Sequence, residues 1–307
     1  MPRFLDPLRR AVPAWGHRLM YGVVRPLAPR IPLRVLDAVG RVLAAGGAVA
    51  LLAGDRGRIR RYLRLAGRPA SGWPLLRHAY AEALARFRHN VAYLVPAPPH
   101  RVSERVAAIV GPAVFTTRST YGQLAPSRWF ADRDFRIIRT PYGGEEGPPP
   151  EAVEDPAARW RAHQAGVRRR LLSDWQIPPT ASPRDYFRTL RSGRSVVLMQ
   201  DVVDPTGQAP VRTFLGLQRS MAVGAVRIAR MAGVPLYHLT TRFEGGTAVV
   251  DVVGPLPLDE DALLRRMEDE IRADPASWEL WQMVLDAEPP SAMPSRLPAS
   301  AELAAAA

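Results

Sequence analysis

Polar side chains follow two predicted buried strands, at the point where each strand ends. Arg118 comes directly after "AVFTT" (113–117), and Gln200 and Asp201 close "SVVLMQD" (195–201). In an open α/β sheet, ligands bind in the crevice at the carboxyl ends of the strands, so these side chains are candidates for a binding or catalytic site. The guanidinium of Arg118 can hold a phosphate or carboxylate in a two-pronged hydrogen bond. It can equally form an ion pair with a nearby acid such as Asp201.

Three further side chains have two interpretations each. The carboxylate of Asp201 can accept a hydrogen bond from a substrate hydroxyl or act as a base, or the Gln200–Asp201 pair can fix the loop that follows the strand. Arg139 and Arg242 lie at predicted ends of two other strands. Each of these Arg side chains can contact a phosphate or remain solvated on the surface.

His78, Glu82 and His89 lie near one face of a predicted helix. A His and a Glu one helical turn apart can share a metal ion. Glu82 and His89 are two turns apart, and the sequence offers no third close ligand. We therefore expect no metal site here and interpret the three residues as an exposed polar face.

The composition excludes several kinds of chemistry. All 42 basic residues of this 307-residue chain are Arg, and it contains no Cys. Without Lys, the chain can form no Schiff base and no phosphate-binding loop of the usual Walker form. Without Cys, it can form no thiolate nucleophile, zinc–thiolate site or disulfide.

The net charge of +13 is concentrated near the N-terminus, where residues 1–70 hold 14 Arg and three acids. An anionic surface is the expected partner of such a region. Trp15, Leu19, Met20 and Tyr21 are interleaved with these Arg residues. This mixture is typical of a segment that lies on a membrane, whereas an arm that binds nucleic acid is less apolar.

The most apolar window, 35–54, is interrupted by Asp37 and Arg41, so its uncharged part (42–54) has 13 residues. A helix of that length covers about 20 Å of a hydrocarbon core about 30 Å thick. We therefore expect a re-entrant, interfacial or buried helix here instead of a full transmembrane span.

Helical and strand periodicity alternate along the rest of the chain. This alternation predicts an α/β fold, with a mixed sheet flanked by helices. The predicted helices span 73–95, 157–175, 183–193, 221–233 and 259–275, and the predicted strands span 113–117, 135–140, 195–201 and a hairpin over 235–256. Three parts follow: a basic amphipathic N-terminal region (1–70), an α/β domain (71–287) and a disordered tail (288–307).

Four blocks occur in a fixed order: "VVLMQD", "RTFLG" (212–216), "VRIARMAGVPLYHLTTR" (226–242) and "DPASWELW" (274–281). Their order and spacing resemble those of the late acyltransferases of lipid A biosynthesis, within the lysophospholipid acyltransferase superfamily. The resemblance implies an acyltransferase-like fold and a basic helical N-terminal region that associates with a membrane. It implies transfer of a fatty acyl group from acyl carrier protein or acyl-CoA, at the cytoplasmic face of the inner membrane. It also implies that Gly216 lies near the substrate.

The catalytic pair of that family is a His followed five positions later by Asp or Glu. The His takes a proton from the acceptor hydroxyl, and the carboxylate orients the imidazole. With "AVFTT" as the preceding strand, the resemblance places these roles at Arg118 and Gln123. The residues five positions beyond the six His are Gly22, Ala83, Leu94, Arg105, Arg168 and Phe243, none of them acidic. A guanidinium stays protonated at biological pH and cannot act as a general base.

Two functions follow from these observations. The first is a membrane-associated acyltransferase that moves a fatty acyl group from a thioester to a lipid or another hydroxyl or amine, using an atypical base or substrate-assisted chemistry. The second is a catalytically inactive relative that binds lipid or acyl chains, or that acts as a partner subunit. Membrane lipid and an acyl carrier protein or acyl-CoA are the expected partners, with no nucleic acid, metal or cofactor. The resemblance favours the first function, and the Arg118–Gln123 pair favours the second.

Overall fold

The computed structural model describes nine ranges of the chain: 20–94, 100–120, 136–138, 153–172, 176–177, 183–204, 209–221, 224–244 and 247–287. Helices flank a mixed sheet of seven strands in these ranges, which confirms the predicted α/β fold. Gln123, Arg139 and the predicted tail 288–307 lie outside the described residues.

The helices are α1 (Leu33–Leu65), α2 (Gly72–Ala92), α3 (Glu104–Ala107), α4 (Pro156–Leu172), α5 (Pro183–Arg191), α6 (Gly224–Ala232), α7 (Glu260–Ala273) and α8 (Trp281–Asp286). The strands are β1 (His100–Val102), β2 (Val114–Thr117), β3 (Arg136–Ile138), β4 (Gln176–Ile177), β5 (Val196–Met199), β6 (Val211–Phe214), β7 (Leu217–Ser220), β8 (Leu236–Glu244) and β9 (Thr247–Val253). Short helical turns over Met20–Val24, Arg25–Leu27 and Ala28–Arg30 precede α1, and a 3₁₀ turn over Pro275–Ser277 joins α7 to α8.

Local signals mark several of these boundaries where the sequence predicts them. Gly193 follows α5 with a φ of +82°, a left-handed conformation that glycine adopts without steric cost. Asp259 caps α7 by accepting a hydrogen bond from the backbone N–H of Ala262 (2.6 Å). The predicted hairpin is also confirmed: β8 and β9 pair antiparallel, with Glu244 opposite Thr247. The short elements β1, α3 and β4 and the β6–β7 hairpin were not predicted.

The sheet has the order β1-β9-β8-β2-β5-β3-β4, and β2 lies at its centre. β2 pairs in parallel with β8 and with β5, so Val114 lies opposite both Leu236 and Val196. The carboxyl ends of β2 and β5 therefore meet at one edge of the sheet. Arg118 follows β2 there, and Gln200 follows β5.

The two faces of the sheet are covered by different elements. Val114 belongs to the main core, which includes apolar side chains of α6, α7 and α8 and the second half of α1. Phe115, the next residue of β2, points to the opposite face, as successive residues of a strand must. There it packs with Val106 of α3 and Val250 of β9.

α1 packs on α2 along a stripe of small residues. Gly40, Ala44 and Ala48 are buried at intervals of four, which places them on one helical face. A Cβ added at Gly40 would overlap the ring of Phe87 on α2. The absence of a side chain at Gly40 therefore sets how closely the two helices approach.

α1 is long and apolar enough to cross a membrane by length and composition. Its most apolar 18-residue window has a mean hydropathy of 1.8, and 22% of that window is buried. One such helix near the N-terminus is weak evidence for an anchor, because core helices and signal sequences share these properties. The second half of α1, after a non-helical residue at Asp55, buries Ile59, Tyr62 and Leu63 in the main core.

Candidate functional site

Arg118 is buried at the end of β2, with 6% of its surface exposed. Its Nη2 donates a hydrogen bond to Ser277 Oγ (2.8 Å), and its Nε lies 3.4 Å from Oε2 of Glu270 on α7. The acid that pairs with Arg118 is therefore Glu270, and Asp201 bonds elsewhere. Nη1 of Arg118 is buried and has no hydrogen-bond partner among the described residues.

Glu270 connects several charged groups behind Arg118. Its Oε2 lies 3.0 Å from Nε2 of His238, and its Oε1 accepts a hydrogen bond from Nε of Arg266 (3.0 Å). Burial by itself raises the pKa of Glu270, but the bond to His238 and the positive charges of Arg118 and Arg266 outweigh it. The pKa of Glu270 is therefore lowered, and this carboxylate is ionised at neutral pH.

His238 lies on β8 beside Thr116 of β2 and is fully buried. Its Nδ1 is 2.8 Å from the hydroxyl of Thr116, and its Nε2 is 3.0 Å from Glu270. A general base needs a ring nitrogen that can reach the proton of the substrate. Both nitrogens of His238 contact protein groups, so in this arrangement the ring positions Glu270 and Thr116.

Asp201 is fully buried and accepts hydrogen bonds from two neighbouring residues, Ser119 and Trp278. The donors are the backbone N–H of Ser119 (2.7 Å), its hydroxyl (3.1 Å) and Nε1 of Trp278 (2.6 Å). Burial raises the pKa of Asp201. The carboxylate thereby joins the ends of β2 and β5 to the segment that precedes α8.

Gln200 has the same kind of environment. Its Oε1 accepts a hydrogen bond from the backbone N–H of Ala225 at the start of α6 (3.2 Å), and its Nε2 donates to the carbonyl of Met199 (3.0 Å). The Gln200 side chain therefore holds the first turn of α6 against the end of β5.

Gly216 and Arg242 lie outside the Arg118 network. Gly216 is in the turn between β6 and β7, with a φ of +74°. Arg242 was predicted at a strand end, but β8 continues for two residues beyond it, because the β8–β9 ladder extends to Glu244. Nε of Arg242 donates to Oε1 of Glu244 (2.8 Å), and about half of the side chain is exposed.

The prediction of an exposed polar face on α2 was wrong, because His78, Glu82 and His89 are all buried. The face is covered by the C-terminal segment, and Trp281 donates a hydrogen bond from Nε1 to Oε1 of Glu82 (3.0 Å). Burial raises the pKa of Glu82, but His78 and Arg86 lower it more, so the net shift is downward. Within the described residues, no group of three or more His, Cys, Asp and Glu could hold a metal ion.

A cavity of about 200 Å³ lies between α2, β8 and the turn Pro275–Ser277. Its apolar wall comes mainly from α2 and Phe243. Its polar wall consists of Arg88, Thr120, Thr241, Arg242, Asp274 and Ser277. Arg118 lies behind this wall, because its Nη2 bonds the Ser277 hydroxyl. Gln200, Asp201 and Gly216 do not line the cavity.

Sequence reasoning missed four important residues: Arg88, Glu270, Asp274 and Ser277. Asp274 and Ser277 belong to "DPASWELW", one of the four blocks that carry the resemblance. This block could have drawn attention to their segment of the chain. Arg88 and Glu270 lie within helices, where an isolated charged residue is indistinguishable from ordinary surface charge until the packing is known.

Neither a scan against protein-family models nor a search of the curated proteins gives a match for this chain. A functional interpretation therefore depends on the geometry of the site and on the order of the sequence blocks.

Proposed function

We propose that this chain is a membrane-associated, acyltransferase-like protein that binds the polar end of a lipid or acyl thioester and lacks the general base of active acyltransferases. The observation that carries the proposal is the buried guanidinium of Arg118, paired with Glu270 at the position that the resemblance assigns to the base.

A guanidinium in this position cannot take a proton from an acceptor hydroxyl. The ion pair with Glu270 and the hydrogen bond to Ser277 hold Arg118 in place. General-base assistance contributes about 10²–10⁴-fold to such reactions, so a chain without it retains binding and positioning and loses most of the rate. Binding is therefore the function that this geometry supports best.

The exposed side chains of the N-terminal part support membrane association. Val42 and Val49 on α1 are 74% and 65% exposed, and Trp73 at the start of α2 is 70% exposed. Arg34 and Arg41 on α1 are exposed as well. An apolar helix face flanked by Arg residues fits a helix that lies in the interface of an anionic leaflet. We place this interface at the cytoplasmic face of the inner membrane, following the resemblance.

One observation favours acyl transfer as a second candidate. His238 and Glu270 form a His–carboxylate pair at 3.0 Å directly behind Arg118. In this candidate, an acceptor hydroxyl replaces that of Thr116 at Nδ1 of His238, and Glu270 orients the ring. The imidazole would then take the proton while the acceptor oxygen attacks the thioester carbonyl. The C–S bond would break, and the leaving thiolate would take this proton from the imidazolium to become a thiol.

The deciding experiment incubates the purified full chain with labelled acyl carrier protein and membrane extract. We expect no transfer by the native protein, and transfer by the variant that carries Arg118→His and Gln123→Glu. Transfer by the native protein would contradict the proposal. If the native protein did transfer the acyl group, a His238→Gln variant would be tested next. Loss of acyl transfer in that variant, with unchanged thermal stability, would establish His238 as the base of the second candidate.

A further inference from the structure

The cavity between α2, β8 and the turn Pro275–Ser277 carries charges of both signs. Arg88 and Arg242 contribute positive charge, and Asp274 contributes a carboxylate. The hydroxyls of Thr120, Thr241 and Ser277 lie in the same wall. A ligand that matches this wall needs an anionic group, a cationic group and hydrogen-bond acceptors.

Arg88 has binding capacity that the fold does not use. Its Nε donates to Asp37 of α1 (2.7 Å), and its guanidinium lies over the ring of Phe243, 5.7 Å from the centroid. Asp37 also accepts from Nε of Arg41 (3.0 Å), so one carboxylate serves two guanidinium groups. Among the described residues, the terminal nitrogens of Arg88 form no other hydrogen bond or ion pair, so they are available to an anion in the cavity.

Asp274 is the acid of the cavity, and its carboxylate forms no hydrogen bond with the part of the chain that the structure describes. Its backbone N–H donates to the carbonyl of Glu270 (3.0 Å), and its carbonyl accepts from the hydroxyl of Ser277 (3.0 Å). The side chain makes no capping bond to the turn that follows and no ion pair within the described part of the chain. A carboxylate without such a partner favours a ligand that carries a positive charge.

Ser277 lies in the polar wall of the cavity, in front of Arg118. Ser277 is held from two sides, by Nη2 of Arg118 (2.8 Å) and by the carbonyl of Asp274. Nη1 of Arg118, a donor in a side chain that is more than nine-tenths buried, has no partner among the described residues. Arg118 does not line the cavity, so its side chain acts on the wall through the Ser277 hydroxyl.

We propose that this cavity binds a phosphoethanolamine group, with its phosphate against Arg88, Arg242 and the hydroxyls of Thr120 and Thr241 and its ammonium against Asp274. The cavity volume of about 200 Å³ suits a headgroup and is too small for a long acyl chain. A primary ammonium donates charge-assisted hydrogen bonds to a carboxylate, whereas the quaternary ammonium of choline has no N–H to donate. The proposal rests on the proposed lipid-binding function and names its headgroup.

The location of the cavity suits a lipid that remains in the bilayer. Arg88 is tied to Asp37, which lies on α1, the helix that carries the exposed apolar face. The same chemistry is present in soluble glycerophosphoethanolamine, so the test includes both sources.

The experiment uses the full chain and vesicles with a constant share of anionic lipid, in which the remaining lipid is phosphatidylethanolamine or phosphatidylcholine. We expect the chain to bind the phosphatidylethanolamine vesicles on the order of tenfold more tightly. This is the difference in affinity expected from one charge-assisted hydrogen bond, here between the ammonium and Asp274. Asp274→Asn should abolish this preference. Asp261→Asn, which changes an acid of α7 outside the cavity, should retain it. Phosphatidylethanolamine also loosens bilayer packing, but that effect does not depend on residue 274.

A second measurement titrates glycerophosphoethanolamine and glycerophosphocholine into the native chain and into Asp274→Asn. A preference for glycerophosphoethanolamine that Asp274→Asn removes supports the site. If this preference is found in the titration but not between the two kinds of vesicle, the ligand of the cavity is a soluble compound. Equal affinity for both headgroups in both formats, or a preference that survives Asp274→Asn, overturns the proposal. Failure to bind any vesicle counts against the proposed membrane function, while the titration still tests the cavity.

Discussion

At the scale of single residues, the surroundings of Arg118 are those of a cation. An ionised carboxylate, Glu270, lies beside its Nε, and a hydroxyl accepts from its Nη2. His238 and Arg266 bond the same carboxylate and keep it charged. Arg118 is therefore one member of a buried network, and each member depends on the charge of Glu270.

Replacing Glu270 by Gln tests this network. The change leaves the buried Arg118 without its counter-charge, so we expect the free energy of unfolding to fall by about 3 kcal/mol at neutral pH. The pKa of Glu270 is lowered in the folded chain, so its contribution is complete above its ordinary value of 4.5 and is lost as the pH falls through the folded-state pKa. Urea denaturation of both proteins should therefore show a difference that shrinks in acid.

The control for this comparison is Asp269→Asn, because Asp269 is 69% exposed and pairs only at 3.4 Å with Arg272. Its effect should stay within about 0.5 kcal/mol. A Glu270→Gln variant as stable as the control would show that the buried network contributes nothing to folding.

At the scale of elements, the contact between α1 and α2 determines how the N-terminal region joins the α/β domain. The boundary drawn after residue 70 falls between these two helices, and the second half of α1 shares the main core with α7 and α8. Small residues at Gly40, Ala44 and Ala48 let α2 approach closely. The approach brings Arg88 of α2 to Asp37 of α1, and so helps to place a cationic group in the cavity wall.

Two Gly→Ala substitutions on α1 separate packing from helix propensity. Gly40→Ala forces a methyl group into the Phe87 ring and should destabilise the chain by about 1–3 kcal/mol. Gly46→Ala meets nothing within 4 Å and should stabilise the chain by up to about 1 kcal/mol, since Ala is the better helix former. Thermal denaturation measures the stability of both variants. If both substitutions changed the melting temperature equally and in the same direction, the close packing of α1 on α2 would be refuted.

At the scale of the whole molecule, exposed apolar residues and positive charge concentrate at the N-terminal end. Within the described residues 20–76, the large apolar side chains that are exposed are Val23, Leu27, Val35, Val39, Val42, Val49, Trp73 and Leu76. Such an apolar surface, together with the 14 Arg of residues 1–70, fits the proposed association with an anionic membrane surface.

Val42→Asp combined with Val49→Asp tests this surface. Both side chains are exposed, so stability in solution should change by less than about 0.5 kcal/mol. Affinity for anionic vesicles should fall by at least about tenfold, because burying one Val in the interface contributes about 1.5–3 kcal/mol. Val110→Asp, at a position 94% exposed outside α1, is the matched control and should bind normally. If the native chain, the double variant and the Val110→Asp control all floated equally with vesicles, α1 would be excluded as the membrane-binding face.

Features that depend on neighbours along the chain could be predicted from the amino-acid sequence alone. Periodicity identified α2, α7 and the β8–β9 hairpin, and the end of β2 placed Arg118 at the carboxyl edge of the sheet, because these patterns repeat within a few residues. The search for an acid five positions after each His also considered only neighbours along the chain. It missed the contact of His238 with Glu270, which are 32 residues apart.

The contacts of each polar residue could not be predicted in this way, because they depend on how distant segments pack. Arg118 meets Ser277 across 159 positions of sequence, and Trp281 covers Glu82 across 199. Burial of the α2 face and the charges of the cavity arise from this packing of distant segments. No local pattern encodes it, because the free energy of a buried charge depends on the partners that folding brings to it.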